Sequence, residues 1–319
     1  MKAYLGVDVG SVSTNIVVID DDGEVLVNLY LRTNGRPIET IKNGLKETAA
    51  QLDSQVEIAG AGTTGSGRYL AGVMIGADVI KNEITAHAVA ASTMVPGVQT
   101  VLEIGGQDSK IIILRNGIVT DFAMNTVCAA GTGSFLDQQA ARLNIPISDF
   151  GALALKSKNT VRIAGRCTVF AESDMIHKQQ MGHPLPDIIN GLCEALVRNY
   201  LNNVGKGKEL LEPIVFQGGV AANVGIKAAF ERELGKPVII PKYFNVMGAV
   251  GAAQLAKEET LKTGKTKFKG FAITDLPHQT SSFQCDGCSN ACEVVEIYEQ
   301  GKVIGRWGNR CPRWDIVDN

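Results

Sequence analysis

The chain has 319 residues, of which 45% are hydrophobic and 20% charged, with a formal net charge of −2. That length suits about two domains. The balanced charge leaves no electrostatic footprint for nucleic acid or an anionic membrane, and no apolar run approaches the roughly 20 residues of a membrane span. The opening MKAYLGVDVGS enters a strand-like run directly, which predicts a cytoplasmic chain without a signal peptide.

Short β-branched runs at 3–9, 15–20 and 24–31 predict an antiparallel meander, followed by a helix over 37–52, a strand at 56–61 and a helix over 82–94. The theme then repeats: strands 99–104, 109–115 and 118–124, and a helix over 129–143. Helices at 168–181 and 185–203, strands at 213–217 and 237–240 and a helix over 246–257 complete the pattern. Two strand–Gly loop–strand hairpins, DVGSVST and EIGGQDS, recur about a hundred residues apart, the pattern of a duplicated α/β domain with a cleft between its halves. The expected division is 1–97 as a first subdomain completed by the 245–257 helix, 98–244 as a second, and 258–319 as a polar linker with a cysteine-rich tail.

Three glycine loops carry candidate chemistry. In the first, Asp8 ends a strand and Gly10, Ser11, Ser13 and Thr14 offer N–H and hydroxyl groups to phosphate oxygens. The second, with Glu103, Gly105, Gly106, Gln107 and Asp108, repeats that logic, so that Asp8, Glu103 and Asp108 become candidates for Mg2+ and water positioning. The third places Gly218, Gly219 and Val220, with Asn223 close behind, where bare backbone can approach a ring or ribose. No GxxxxGK[ST] loop occurs, so the ATP site expected here is of another class.

Seven cysteines sharpen the reading. Cys128 and Cys167 each precede a helix-like stretch, where the helix dipole favours thiolate. Two thiolates cannot complete a four-thiolate site, but a twofold homodimer would supply four. Gly131 and Thr132, just after Cys128, stand between a nucleotide loop and this candidate ligand. In the tail, Cys285, Cys288, Cys292 and Cys311 form a second four-thiolate set around a hairpin expected at QGK, equally suited to zinc or to an iron–sulfur cluster. Cys193 and the four histidines are read as structural, with His183 and His278 in loops.

The stretches VDVGSVST, NEITAHAVAA, LEIGGQDSKII, MNTVCAAGTGSFLDQQA, IAGRCTVFAESDMIHKQQ, VFQGGVAANVG and VMGAVGAAQLA resemble the ATP-dependent activators of 2-hydroxyacyl-CoA dehydratases, together with benzoyl-CoA reductase ATPase subunits and double-cubane cluster protein reductases. The resemblance covers roughly 1–257 and lies within the acetate and sugar kinase, Hsp70 and actin superfamily. It implies duplicated actin-like (ribonuclease H-like) domains, ATP/ADP with Mg2+, and one 4Fe-4S cluster bridging a homodimer through Cys128 and Cys167. It also implies a ferredoxin or flavodoxin donor and an electron-accepting dehydratase or double-cubane cluster protein. Asn15 departs from the pattern, standing where these activators often carry lysine, and the tail is absent from the shorter ones. The competing readings are a sugar or carboxylate kinase of the same superfamily, which would have no use for thiols at 128 and 167, and a non-enzymatic ATP-binding sensor with the tail as a metal-stabilised docking module.

Overall fold

The computed structural model describes residues 1–314. Strands β1 (Lys2–Val9), β2 (Ser13–Asp20) and β3 (Val25–Arg32) form the expected antiparallel meander. Helix α1 (Pro37–Gln51) starts on a proline, whose missing N–H would have had no partner in the first turn anyway. Strand β4 (Glu57–Thr64) then runs parallel to β1, and after helix α2 (Arg68–Ile75) the short β5 (Val79–Ile80) runs parallel to β4. Helix α3 (Glu83–Met94) follows.

The second pass repeats this wiring. Strands β6 (Thr100–Ile104), β7 (Ser109–Arg115) and β8 (Ile118–Asn125) form a second meander. Four helices, α4 (Gly133–Arg142), α5 (Ile147–Ala154), α6 (Thr168–Gln180) and α7 (Leu185–Tyr200), precede β9 (Ile214–Gln217), which runs parallel to β6. Helix α8 (Val224–Leu234) leads to β10 (Val238–Ile239), parallel to β9. Counted within each sheet, both have the order 3-2-1-4-5. The duplication expected from the two glycine loops is therefore present in the topology. Helix α9 (Met247–Thr263) and a three-stranded antiparallel sheet of β11 (His278–Gln284), β12 (Glu293–Glu299) and β13 (Lys302–Trp307) end the described chain.

The chain divides into two compact units, residues 1–86 with those from 248 onward, and 87–247. In the first, alternate residues of β1 face opposite sides. Ala3, Leu5, Val7 and Val9 join Ile41 and Leu45 of α1 in one core. On the other side Gly6 and Gly62 let α9 approach the sheet backbone: a Cβ on Gly6 would stand 1.9 Å from the Ala249 carbonyl oxygen, and one on Gly62 2.2 Å from that of Ala252. The second unit is centred on β6, β7 and β9 with Phe135, Phe150, Tyr200 and Phe230 fully buried around them.

Several local expectations change. The polar stretch from 258 is not all linker: Glu258, Glu259 and Lys262 are strong helix formers and carry α9 on to Thr263. The helix expected over 129–143 is broken into a single 3₁₀ turn at Ala129–Gly131 and then α4, because Thr132 takes an extended conformation between two glycines. The helix expected to reach 203 widens instead into a π turn at Leu201–Gly205. His278 opens a strand and is not a loop residue. The hairpin about QGK is present, its two-residue turn formed by Gln300 and Gly301, both at positive φ. Its sheet docks on the first unit: Ile297 is fully buried in the core of β1 and α1, with Ile304 and Trp307 packed against it.

Because a methyl on Gly6 has nowhere to go but into α9 backbone, Gly6→Ala should lower the stability of the first unit by about 3 kcal/mol or more. The midpoint of urea denaturation measures this.

Candidate functional site

In the first unit the β1–β2 turn is closed by the Gly10 N–H donating to the Ser13 carbonyl at 2.8 Å. Thr33 of the following segment donates its hydroxyl to the Gly10 carbonyl and bonds the Thr14 hydroxyl at 3.0 Å. Ser11 is exposed and Ser13 half-buried, while Thr14 is buried within this bracing. The Asp8 carboxylate lies in a notch made by two missing side chains. A Cβ on Gly65 would come within 2.5 Å of its Oδ1, and one on Gly248 within 2.3 Å of its Oδ2. Asn15 is the cross-strand partner of Asp8, and its buried Oδ1 has no hydrogen-bond partner among the described residues.

The second unit holds the equivalent loop, with a lysine where the first has asparagine. Glu103 pairs across the strands with Lys110, seven residues on, just as Asp8 pairs with Asn15. Lys110 Nζ lies 3.1 Å from Glu103 Oε2 and 2.9 Å from Asp108 Oδ2. Glu103 and Lys110 are buried, whereas the Asp108 side chain keeps 33% of its surface. One ammonium thus serves two carboxylates in a largely buried place, where charge interactions are strong. Lys110 joins the two candidate carboxylates, a partner that motif reading passed over although strand register alone would have found it. On the adjoining strand β9, Gln217 stands beside Glu103 and bonds the buried His87 at 2.8 Å.

Backbone bonds carry this loop directly into the cysteine region. The Gly105 and Gly106 carbonyls accept the N–H groups of Gly133 and Ser134, at 2.9 and 2.8 Å. These are first-turn donors of α4, which no side chain caps at Thr132. Gln107 is exposed at the tip of the loop. In the third loop Gly218 takes φ +89°, and a Cβ there would meet Glu103 Oε1 at 2.7 Å. Gly219 is exposed and Val220 buried. Asn223 caps α8, its Oδ1 accepting from Gly225 and Ile226, which leaves its buried Nδ2 without a partner among the described residues.

Cys128 and Cys167 are both half-buried and both occupy cap positions. Cys167 caps the 13-residue α6, but Cys128 caps only the short 3₁₀ turn, so the helix-dipole argument holds for the first alone. Asn199, buried on α7, ties the two segments together. Its Nδ2 donates to the Gly165 carbonyl at 2.6 Å and lies 3.8 Å from Cys128 Sγ. Asn125 grips the other side, accepting from the Cys128 N–H at 2.9 Å and donating to its carbonyl at 2.8 Å. A Cβ on Gly131 would stand 2.8 Å from Asn199 Oδ1, so any larger residue there would push on this clamp. Asp187 anchors the approach to Cys167, accepting from the Ser157 hydroxyl, the Lys158 and Asn159 N–H groups and the Asn159 amide. The Asn159 amide, then the Lys158 N–H, hold its carboxyl down at about 2.

Cys193 is core, as expected; burial pushes its thiol up to about 12. Among the described residues no three His, Cys, Asp or Glu side chains stand close enough together to hold a metal ion. No described helix is long and apolar enough to cross a membrane.

Two sheets of one topology, each presenting a glycine turn between its first two strands, define a duplicated actin-like ATPase. Within that class the chain belongs to the BadF/BadG/BcrA/BcrD ATPase family, whose model matches residues 5–256. It is 37% identical over 271 residues to the (R)-2-hydroxyglutaryl-CoA dehydratase activating ATPase of Acidaminococcus fermentans, covering 82% of this chain and all of that one. The crystal structure of component A of that dehydratase superposes with a TM-score of 0.74 at 35% identity, over 82% of this chain and 100% of the other. The activator of the 2-hydroxyisocaproyl-CoA dehydratase from Clostridium difficile, solved with bound ADPNP, gives the same TM-score at 30% identity, over 82% and 97%.

Two outcomes check this geometry. Asn199→Ala strands the Gly165 carbonyl and should cost about 1–3 kcal/mol, while raising the rate at which a thiol reagent modifies Cys128. The carboxyl of Asp187 binds its proton less readily folded than unfolded. Its contribution to stability is therefore complete above about pH 4 and lost as pH falls towards 2. Asp187→Asn should flatten that part of the acid unfolding profile.

Proposed function

We propose that this chain is an ATP-driven electron-transfer activator, which uses ATP hydrolysis to send single low-potential electrons to a partner enzyme. The observation that carries the reading lies within one unit: the glycine loop of Glu103–Asp108 is hydrogen-bonded to the first turn of α4, five residues after Cys128. Any movement of that loop on binding or losing a phosphate is passed by two backbone bonds to the cysteine segment. Family membership and the ADPNP-bound relative support ATP as the nucleotide. Gly10, Ser11, Ser13 and Thr14, with Gly105, Gly106 and Gln107, would face the phosphates, and Gly218, Gly219 and Val220 the nucleoside. Asp8, Glu103 and Asp108 would serve Mg2+ and the attacking water, with Lys110 setting how much negative charge meets them.

Cys128 and Cys167 suit a shared iron–sulfur cluster. Two partly exposed thiols of one unit, locked by Asn125 and Asn199, make half of a four-thiolate set, and a second copy of the chain would supply the rest. Bound there, a 4Fe-4S cluster would supply one-electron chemistry at low potential. The protein's part is to hold the thiolates, donate N–H to sulfur from Asn199 and govern solvent access, each of which tunes potential. Exposed apolar side chains flank both cysteines, with Val127 at 94% exposure and Val169 and Phe170 at 66% and 65%. A contact between copies would cover such surface. The names of the relatives support a 2-hydroxyacyl-CoA dehydratase as acceptor, with a double-cubane cluster protein as the other candidate; on this reading the electron donor is a ferredoxin or flavodoxin. A sugar or carboxylate kinase would leave Cys128, Cys167 and Asn199 without a task.

Anaerobically purified protein should carry about two irons and two acid-labile sulfides at this site per chain, one four-iron cluster for two chains. Cys128→Ser and Cys167→Ser should each remove them and abolish ATP-dependent reduction of a partner. Wild-type protein that binds no iron after anaerobic reconstitution would sink the proposal.

A further inference from the structure

The segment after α9 lies beyond the family match, which ends at residue 256. Its sheet brings four cysteines to one end. Cys285 directly follows β11 and Cys292 directly precedes β12. The antiparallel register of Gln284 with Glu293 continues to this pair, whose backbone closes the turn by a 2.8 Å bond from the Cys285 N–H to the Cys292 carbonyl. Strand β13 lies antiparallel to β12 with Trp307 opposite Val295, so the chain leaves β13 at that same end and reaches Cys311 four residues later. All four cysteines, with Asn290 and Trp314, line one cavity of about 130 Å³.

The surroundings suit anionic sulfur. Cys285 Sγ accepts from Trp314 Nε1–H at 3.1 Å and from the Gly287 N–H at 3.4 Å. Arg313 adds positive charge; its guanidinium is so close to Gly287 that a Cβ there would meet Nη1 at 2.0 Å. Four cysteines brought to one end of a small sheet, two flanking paired strands and two in the adjoining loops, supply the ligand number of a closed structural zinc site. Around one zinc, with bonds of about 2.3 Å, the sulfurs stand about 3.8 Å apart, a spacing that a directly opposed cross-strand pair reaches readily.

We propose that Cys285, Cys288, Cys292 and Cys311 bind one zinc ion per chain. The ion fastens the open end of a sheet whose other residues, Ile297, Ile304 and Trp307, belong to the core of the first unit. The sulfurs surround the cavity without converging on a common centre. Four thiolates repel one another until a cation neutralises them, and the ion is what draws them in.

The test is metal analysis of the full-length protein after anaerobic purification, alongside three variants: Cys288→Ser, Cys311→Ser and the double variant Cys128→Ser with Cys167→Ser. Cys288 and Cys311 are exposed, so their replacement leaves the core intact. The expected result is about one zinc per chain in the wild type and in the double variant, and loss of most of it in the two tail variants. Cobalt(II) added to zinc-free protein should show the intense visible absorption of a tetrahedral thiolate site, absent in Cys311→Ser. Iron and sulfide in place of zinc that vanish with Cys311→Ser would overturn the proposal, as would four freely titratable tail thiols in metal-replete wild type. Because the double variant keeps the tail intact, loss of zinc there is also a refutation, and failure of the electron-transfer reading leaves this result unaffected.

Discussion

The bond between the Gly105–Gly106 carbonyls and the start of α4 is the constraint on which the second unit turns. Helix starts need acceptors for their first N–H groups, and usually a side chain supplies them. Here Thr132 does not, and the phosphate-type loop does it with its own backbone. That arrangement requires close approach, which is why Gly133 sits against Gly105: a Cβ on Gly133 would lie 3.0 Å from the Gly105 oxygen. It also fixes where the chain upstream of α4 must run. The 3₁₀ turn, Cys128 and the clamp of Asn125 and Asn199 take their positions from a helix whose first turn belongs to the loop.

The duplicated halves share a topology but differ in charge at the strand pair that matters. Asp8 faces Asn15, whereas Glu103 faces Lys110 at the same spacing. In one half the carboxylate is confined by glycines at 65 and 248; in the other it is neutralised by a buried ammonium that also holds Asp108. The absence of lysine at 15, a departure from the resembling activators when read as sequence alone, becomes half of this contrast.

The fold was largely legible in the sequence because its signals are local. Alternating β-branched strands and glycine turns marked both meanders, and QGK marked its hairpin. The break at Thr132 was not legible, since AAGTGSF has helical neighbours and only the bonds from Gly105 and Gly106 set where the helix begins. Strand β11 was missed because HQTSSFQ is mostly polar and exposed, and it becomes a strand by pairing with β12. Of the site, the three loops and both cysteines could be found by motif. Lys110 and Asn199 could not, for their roles come from strand register and from the meeting of α7 with the segment before Cys167.

The last sheet is part of the first unit's core and not an appendage to it. The family match ends at residue 256, inside α9, yet Ile297 is fully buried in the same apolar core as Leu5 and Leu45. A gene shortened to the boundary that kinship suggests would bare one wall of that core to water.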